Sequence, residues 1–231
     1  MSAGAAAQGW ESYQSGAGAA GLFSRWPNEA MVKVLFGSYL GERRVPAAGE
    51  RVLDVGCGFG QNLLPFINVG CAAAGVELTE AMTSEAAKAM ASRGVNVDFR
   101  VGSNRNIPFE DASFELVLSI NAVHYETNQA DYLAALAEFA RVLKPGGRLY
   151  VSTVAPGHEF RTRAEPLGDH RFRIRDYDFR NGEVMCFLDN EKELTSLMKQ
   201  HFATVETGQV TERLMTRTLD FFIVVATKAG G

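Results

Sequence analysis

The segment Arg51-Val-Leu-Asp-Val-Gly-Cys-Gly-Phe-Gly60 has the residue types of a ligand-binding loop. An apolar strand pattern runs into three glycines at alternate positions, and a helix is predicted to begin near Gln61. Glycine permits a sharp turn and lets a ligand approach the backbone without a Cβ in the way. The helix that follows presents free N–H groups and the positive end of its dipole. The segment therefore predicts a site for a small ligand beside the glycines.

A carboxylate is placed to serve the same ligand. The run Ala72-Ala-Ala-Gly-Val-Glu77 predicts a strand that ends in Glu77, 17 positions after Gly60. An acidic side chain there can accept hydrogen bonds from both ribose hydroxyls of a nucleoside. A nicotinamide or flavin dinucleotide is the rival ligand, but its fingerprint needs a glycine where this chain has Gln61. A turn without any ligand is disfavoured too, because Asp54, the glycines and Glu77 fit together as one nucleoside site.

The elements that must position these residues alternate between strand and helix patterns. Short β-rich runs lie at residues 51–55, 72–78, 95–101, 114–120 and 148–154. Helical patterns lie at residues 27–40, 79–93, 128–143 and 190–202, and Asn190 with Glu193 predicts a capping box at the last of them. Residues 204–214 and 218–227 predict two strands whose connection is so short that they must pair antiparallel. We therefore expect an α/β fold with a mostly parallel sheet and helices on both faces.

The chain divides into an arm, a domain and an insertion. Residues 1–26 are rich in Ala and Gly and predict a flexible arm, in which Trp10 and Tyr13 could dock on a surface. Residues 27–231 predict one domain, with an insertion at residues 155–189 that has no clean period. Long irregular connections usually serve function, so we expect this insertion to border the substrate. Its arginines favour an anionic acceptor or, the interpretation we prefer, a solvated segment neutralised by its own acidic residues; residues 171–175 predict an exposed strand.

Size and composition disfavour several classes of protein. The chain has 231 residues, 46% of them hydrophobic, which suits one domain with a sizeable core. A formal net charge of −4 disfavours a nucleic-acid partner, which would need a basic surface. Three cysteines without CxxC spacing argue against a disulfide framework and a structural zinc site. Because no run is apolar enough to span a bilayer and the first residues do not resemble a signal peptide, we expect no membrane partner and a cytoplasmic location.

Residues 45–155 resemble the class I S-adenosylmethionine-dependent methyltransferases, in particular those that act on small molecules. The segment at residues 52–60 is similar to the family's first motif, and Gly75-Val-Glu77 to its acidic second motif. Residues 102–114 and Arg141-Val-Leu-Lys-Pro-Gly-Gly-Arg148 are similar to segments after the family's third strand and before its fifth. The resemblance implies a Rossmann-like, seven-stranded, mostly parallel sheet with an antiparallel last strand. It also implies S-adenosylmethionine as cofactor.

The resemblance implies which residues hold that cofactor. By position they are Asp54, Gly56, Cys57, Gly58, Gly60, Glu77, Leu78, Ser103, Asn104, Ile120 and Asn121. The glycines would line the methionine part, Glu77 would hold the ribose, and Leu78 would lie against the adenine. Asp54 would support the loop, and the backbone at Asn104 would contact the adenine. Ser103 departs from the family, many of whose members carry an aspartate there.

The segment Ser24-Arg-Trp-Pro-Asn-Glu29 resembles the N-terminal lid of some bacterial small-molecule methyltransferases. Arg25 would then pair with the methionyl carboxylate of the cofactor. Trp26 would cover the sulfonium through a cation–π interaction. An equally weighted alternative is that Trp26 only packs the first helix onto the sheet.

The segment Ser119-Ile-Asn-Ala-Val-His-Tyr125 follows the fourth strand and should face the acceptor, with Ile120 and Asn121 also near the sulfonium. It lacks the Pro-Pro motif with which relatives methylate base amino groups or glutamine amides, and no carboxylate set resembles a magnesium site, so no metal is predicted. His124 is the predicted catalytic base, because an unperturbed histidine titrates near pH ~6.5; a structural histidine is the alternative. The predicted substrate contacts are Tyr13, Trp26, His124 and Tyr125.

The resulting prediction is methyl transfer from S-adenosylmethionine to a small molecule, with a hydroxyl of a sugar or secondary metabolite as the favoured acceptor. Two alternatives stay open: methylation of a small amine, and a cofactor-binding protein without catalysis. The sequence carries no signal for an oligomeric state.

Overall fold

A computed structural model describes residues 8–13, 16, 26–176 and 180–231 of the chain. Its strands are β1 (Arg51–Val55), β2 (Ala72–Glu77), β3 (Asp98–Val101), β4 (Phe114–Ile120), β5 (Leu143–Val154), β6 (Glu165–Gly168), β7 (Arg171–Arg173), β8 (Val184–Cys186), β9 (Thr204–Leu214) and β10 (Arg217–Thr227). Seven of them form one sheet in the order β3-β2-β1-β4-β5-β10-β9. The first five pair in parallel, and β10 is antiparallel to both of its neighbours. This confirms the predicted fold.

Helices cover both faces of the sheet. They are α1 (Glu29–Phe36), α2 (Leu64–Asn68), α3 (Glu80–Ala91), α4 (Gln129–Val142), α5 (Glu159–Arg163) and α6 (Glu191–Met198), and residues 8–13 are helical as well. One buried cluster packs α1 and α2 against β1 through Met31, Phe66 and Val52. A second cluster on the other face joins α4 and α6 to the sheet through residues such as Phe139 and Leu194. None of the described helices is long and apolar enough to cross a membrane.

Side-chain caps set where several helices begin. The Thr79 hydroxyl accepts a hydrogen bond from the Met82 N–H at the start of α3, as the sequence indicates. At α6 the Asn190 side chain accepts from the Glu193 N–H, but Glu193 accepts in return from the N–H of Asp189. The predicted capping box is therefore present with its return bond shifted by one residue.

The first helix is shorter than predicted. Residues 27–40 were expected to be helical, but α1 is capped by Asn28, whose side chain accepts from the Met31 N–H at 2.8 Å. The helix ends at Phe36, and its C-cap Gly37 leaves the helical conformation with φ −90° and ψ −147°. Met31 and Leu35 are buried as the periodicity predicts, whereas Ser38 lies outside the helix and is exposed.

The insertion is more ordered than its sequence predicts. Besides α5 it forms a three-stranded antiparallel sheet in the order β6-β7-β8. These strands are only three or four residues long, which is too short to show an alternating hydrophobic pattern in the sequence. Ile174 and Phe187 are buried with Val154, so the insertion packs on the end of β5. Four of its arginines pair with neighbouring acids: Arg173 and Arg175 with Glu165, Arg161 with Asp189, and Arg163 with Glu159. Arg180 departs from the predicted solvated segment, because it is buried.

Candidate active site

The glycine loop after β1 leaves room for a ligand at one of its three glycines. Gly56, Gly58 and Gly60 all have positive φ angles, of 73°, 58° and 76°, a region that favours glycine. A Cβ at Gly56 would lie 2.8 Å from Ala122, and one at Gly60 would lie 2.9 Å from Phe99. A Cβ at Gly58 would meet no atom within 4 Å. The outer glycines are thus needed for packing, and Gly58 faces open space.

Glu77 holds this loop from the end of the neighbouring strand β2. Its Oε1 accepts a hydrogen bond from the Gly58 N–H at 2.6 Å, and its Oε2 accepts from the Leu78 N–H at 3.2 Å. Burial raises the pKa of Glu77 to about 7, against the lowering effect of these two N–H donors. Leu78 next to it is 44% exposed, an unusual position for leucine beside a buried carboxylate.

Asp54 adds a second buried carboxylate below the loop. Its side chain is fully buried, and neither carboxylate oxygen has a hydrogen-bond partner among the described residues. Burial raises its pKa to about 7, against the lowering effect of the nearby Asn62 side chain and with help from the charge of Glu77. Cys57 is buried in the same region, and burial raises the pKa of its thiol. A buried carboxylate beside the glycine loop can accept hydrogen bonds from a ligand bound there.

Asp54 should lower the stability of the ligand-free protein at neutral pH. Its pKa is about 7 when folded and near 3.8 when unfolded, so the folded state holds its proton more tightly. Stability is then lost as pH rises from about 4 to about 7. We expect Asp54→Asn, which keeps the shape, to raise the free energy of unfolding at pH 8 by on the order of 2–4 kcal/mol. Thermal unfolding from pH 5 to pH 8 measures this; an Asn variant less stable than wild type at pH 8 would refute it.

The loops after β3 and β4 are joined to each other. Ser103 and Asn106 exchange backbone hydrogen bonds in a tight turn after β3. The Asn104 side chain donates to Glu126 Oε1 at 3.0 Å and to the Ala122 carbonyl at 3.4 Å. Since Ala122 also faces Gly56, these residues lie together at the carboxyl edge of the sheet, where such folds bind ligands.

Asn121 leaves β4, after Ile120, in a conformation that a neighbouring strand enforces. Its φ is 55°, and its N–H donates to the Ser152 carbonyl and to Ser152 Oγ. The Ser152 hydroxyl in turn donates to Asn121 Oδ1 at 2.7 Å. The left-handed backbone is held by three bonds, as is typical of strained residues at functional sites. Ser152 carries no signal in the sequence, because a buried serine in a strand is not unusual.

His124 is buried in the short helical turn Val123–Tyr125, and only 1% of it is exposed. Its Nδ1 has no hydrogen-bond partner among the described residues, and its ring lies 4.8 Å from that of Tyr125. Burial, helped by the nearby His158 and Arg180, lowers its pKa to about 3. The expectation that it titrates near its unperturbed value is therefore wrong, because sequence alone does not reveal burial.

Aromatic side chains from three parts of the chain surround Arg180 beside His124. The Arg180 Nε donates to the Tyr125 hydroxyl at 2.8 Å. Its guanidinium carbon lies 4.8 Å from the ring centre of Trp10, 5.3 Å from that of Tyr13 and 5.4 Å from that of Phe160. We call these five residues the Arg180 clamp. The sequence points to Trp10, Tyr13 and Tyr125 and to the arginines of the insertion, but not to the contact of Arg180 and Phe160 with these rings, which only the fold creates.

The predicted lid residues are only partly described. Arg25 lies outside the described residues. Trp26 is 83% exposed, so the alternative in which it packs the first helix onto the sheet is wrong. The Asn28 N–H donates to Asn62 Oδ1 at 2.9 Å, and Asn62 closely follows the glycine loop. The start of α1 therefore lies beside the loop.

One group of possible metal ligands lies outside this edge of the sheet. Suitable atoms of His170, Asp189 and Glu193 are within 4.8 Å of one another. His170 Nε2 is 2.8 Å from Glu193 Oε1, and Asp189 also pairs with Arg161. These contacts fasten the insertion to the start of α6.

Comparison with known proteins agrees with this geometry. Residues 52–147 match a family described as a methyltransferase domain. The ubiquinone biosynthesis O-methyltransferase of Maricaulis maris is 31% identical over 143 residues, which are 57% of this chain and 54% of that protein. The O-methyltransferase resE of Aspergillus sclerotiorum is 28% identical over 194 residues, covering 76% and 72% of the two chains. The chain spans about half the length of the first curated relatives it matches.

Solved structures share the fold. A SAM-dependent methyltransferase of Methanosarcina mazei superposes with a TM-score of 0.66 at 22% identity, covering 90% of this chain and all of that one. The 1,6-didemethyltoxoflavin-N1-methyltransferase of Burkholderia thailandensis, solved with S-adenosylhomocysteine, has a TM-score of 0.60 at 22% identity, covering 79% and 72%. The glycine loop, the acidic end of β2, the sheet order and the family match together identify residues 52–147 as a methyltransferase domain, in a chain that has the fold of the class I S-adenosylmethionine-dependent methyltransferases.

Proposed function

We propose that the protein transfers a methyl group from S-adenosylmethionine to a hydroxyl of a small aromatic secondary metabolite. The observation that carries the proposal is the buried, neutral imidazole of His124 beside the aromatic residues of the Arg180 clamp. Two relatives, the ubiquinone biosynthesis O-methyltransferase and the O-methyltransferase resE, are named as enzymes that methylate oxygen, and these names support an oxygen acceptor here.

The residues around the glycine loop fit the cofactor. Bound S-adenosylmethionine supplies an electrophilic methyl group on a positively charged sulfur. Gly58 leaves space where a ligand can approach the backbone, and the Glu77 carboxylate can accept hydrogen bonds from ribose hydroxyls. The half-exposed Leu78 offers an apolar surface to the adenine. Asp54 and Glu77 are two buried acids whose ionised forms complement a cation.

His124 favours oxygen over nitrogen as the methylated atom. When a hydroxyl oxygen gains a methyl group, its proton becomes strongly acidic, so an imidazole with a pKa of about 3 can still take it. A methylated alkyl amine has a pKa close to that of lysine, ~10.4, and would keep its proton against such an imidazole. The role of His124 is then to accept the hydroxyl proton as the carbon–oxygen bond forms. Because His124 is buried, the acceptor reaches it only after the Arg180 clamp moves.

The aromatic rings of the Arg180 clamp favour a flat acceptor. Trp10 meets Tyr125 edge to face with 5.1 Å between ring centres, and Tyr13 meets Trp10 at 5.9 Å. Such rings stack on aromatic substrates and leave few polar partners for the many hydroxyls of a sugar. A phenolic hydroxyl is also the easier nucleophile. Amine methylation remains the second candidate, favoured only by the name of the Burkholderia neighbour.

An acceptor screen tests the choice of atom. The purified chain, labelled S-adenosylmethionine and a matched set of phenols, sugars and alkyl amines would be analysed for methylated product by mass spectrometry. We expect methylated phenols. Methylated amines without phenol product would contradict the proposal, and no product from any class would favour a cofactor-binding protein.

A cytoplasmic location and the absence of a nucleic-acid substrate are also part of the proposal. Cell fractionation tests the location, and an RNA control in the screen tests the substrate.

The cofactor itself has a simpler test. S-adenosylhomocysteine should raise the melting temperature, because a ligand at 100 times its Kd stabilises the folded state by about 2.7 kcal/mol. NAD and FAD at the same concentration are the controls, and neither should shift the transition. A shift with NAD and none with S-adenosylhomocysteine would refute the proposed cofactor. Differential scanning fluorimetry suffices as the measurement.

A further inference from the structure

We propose that Arg180 is a positioning residue that holds residues 8–13 over the His124–Tyr125 turn. The inference rests on the proposed function only where it treats His124 as facing the acceptor. The contacts that carry it are those of the Arg180 clamp, defined above by Trp10, Tyr13, Tyr125, Phe160 and Arg180.

Arg180 joins three separate parts of the fold at one guanidinium group. Trp10 and Tyr13 come from residues 8–13, Phe160 from α5, and Tyr125 from the turn after β4. Only 8% of Arg180 is exposed, so the cation is largely desolvated and its attraction to ring faces is strong. Its Nε donates to the Tyr125 hydroxyl, and this bond fixes the orientation of the guanidinium group relative to the His124–Tyr125 turn.

The Arg180 clamp lies directly over the His124 side chain. Tyr125 follows His124 directly and lies against its ring, and Trp10 lies against Tyr125 with 5.1 Å between ring centres. Trp10, Tyr125 and His124 thus form layers, with residues 8–13 outermost. The charge of Arg180 also disfavours protonation of His124. The residue that holds residues 8–13 over His124 therefore also helps to keep the imidazole neutral. Losing Arg180 should uncover His124.

The test uses two readouts that need neither cofactor nor acceptor. In a Trp26→Phe background Trp10 is the remaining tryptophan, since the chain has two, and acrylamide quenching reports its exposure. Diethylpyrocarbonate modifies neutral imidazole, and peptide mass spectrometry follows His124 separately, with His201 as internal reference. The variant Arg180→Met removes the charge and keeps most of the length. Arg175→Met is the matched control, because Arg175 is in the same insertion and pairs with Glu165.

We expect Arg180→Met to raise the modification rate of His124 about tenfold, which corresponds to about 1.4 kcal/mol in the opening equilibrium. Trp10 quenching should rise with it, and Arg175→Met should change neither. Unchanged His124 and Trp10 readouts in Arg180→Met would overturn the proposal. If this variant fails to fold, Tyr125→Phe removes only the hydroxyl bond and should give a smaller rise in both readouts. If S-adenosylhomocysteine does not bind wild type, the proposed function fails while both readouts still decide the role of Arg180.

Discussion

Replacing Gly58 by valine is expected to abolish binding of S-adenosylhomocysteine, with a loss of affinity of at least ~100-fold, or about 2.8 kcal/mol. A Cβ at Gly58 meets nothing within 4 Å in the ligand-free chain, so the side chain itself has room and the fold persists. Under the proposed function that space belongs to the cofactor, and the valine side chain would occupy it. Isothermal titration calorimetry measures the loss.

Backbone strain is the effect that a control must separate. Gly58 has a φ of 58°, so any L side chain there costs roughly 1–2 kcal/mol of stability. Gly94 has a φ of 74° and equally open surroundings, but it lies in the loop that enters β3, at the opposite edge of the sheet. Gly94→Val should lower the melting temperature to a similar degree and leave affinity unchanged. Equal affinities of the two variants would show that Gly58 does not border the ligand.

The framework of the fold follows from local patterns in the sequence. Alternating strand and helix periods, the short link between β9 and β10 and the cap at Thr79 are encoded within a few residues of each other. The glycine loop and Glu77 are also separate local signals, and parallel pairing of β1 with β2 brings them together. These features were predictable because each depends on neighbours along the chain or on one sheet topology.

The features that sequence could not supply depend on contacts between distant segments. Ser152 binds Asn121 from the neighbouring strand β5, and Arg180 contacts Trp10 although the two are 170 positions apart in the sequence. The low pKa of His124 is a consequence of burial by such segments. The end of α1 was misplaced for a related reason: the helical period continues past Gly37, but the backbone of Gly37 leaves the helical conformation. In each case tertiary packing overrides or completes the local signal.

Replacing His124 is expected to reduce turnover strongly, whereas Gly58→Val affects cofactor affinity. With a phenol acceptor identified, His124→Ala should reduce kcat by about 10²–10⁴, the usual range for loss of a general base. Cofactor affinity should barely change, because under the proposed function His124 contacts the acceptor and not the cofactor. His124→Gln is the sharper variant, since it keeps a polar side chain of similar size and cannot take the proton. His201→Gln, near the end of α6, is the matched control and should be neutral.

The pH profile separates the proposed role from that of an ordinary histidine base. The imidazole loses its proton above its pKa, and burial lowers that pKa to about 3, so His124 stays neutral from pH 8 down to pH 5. At saturating cofactor, kcat of the wild type should therefore not fall through pH ~6.5, where an unperturbed histidine would become charged. A clear fall there would show that His124 is hydrated in the working enzyme, and that the clamp opens fully before the chemical step. A flat profile with near-normal turnover in His124→Gln would instead make the histidine structural and leave catalysis to the alignment of acceptor and methyl group.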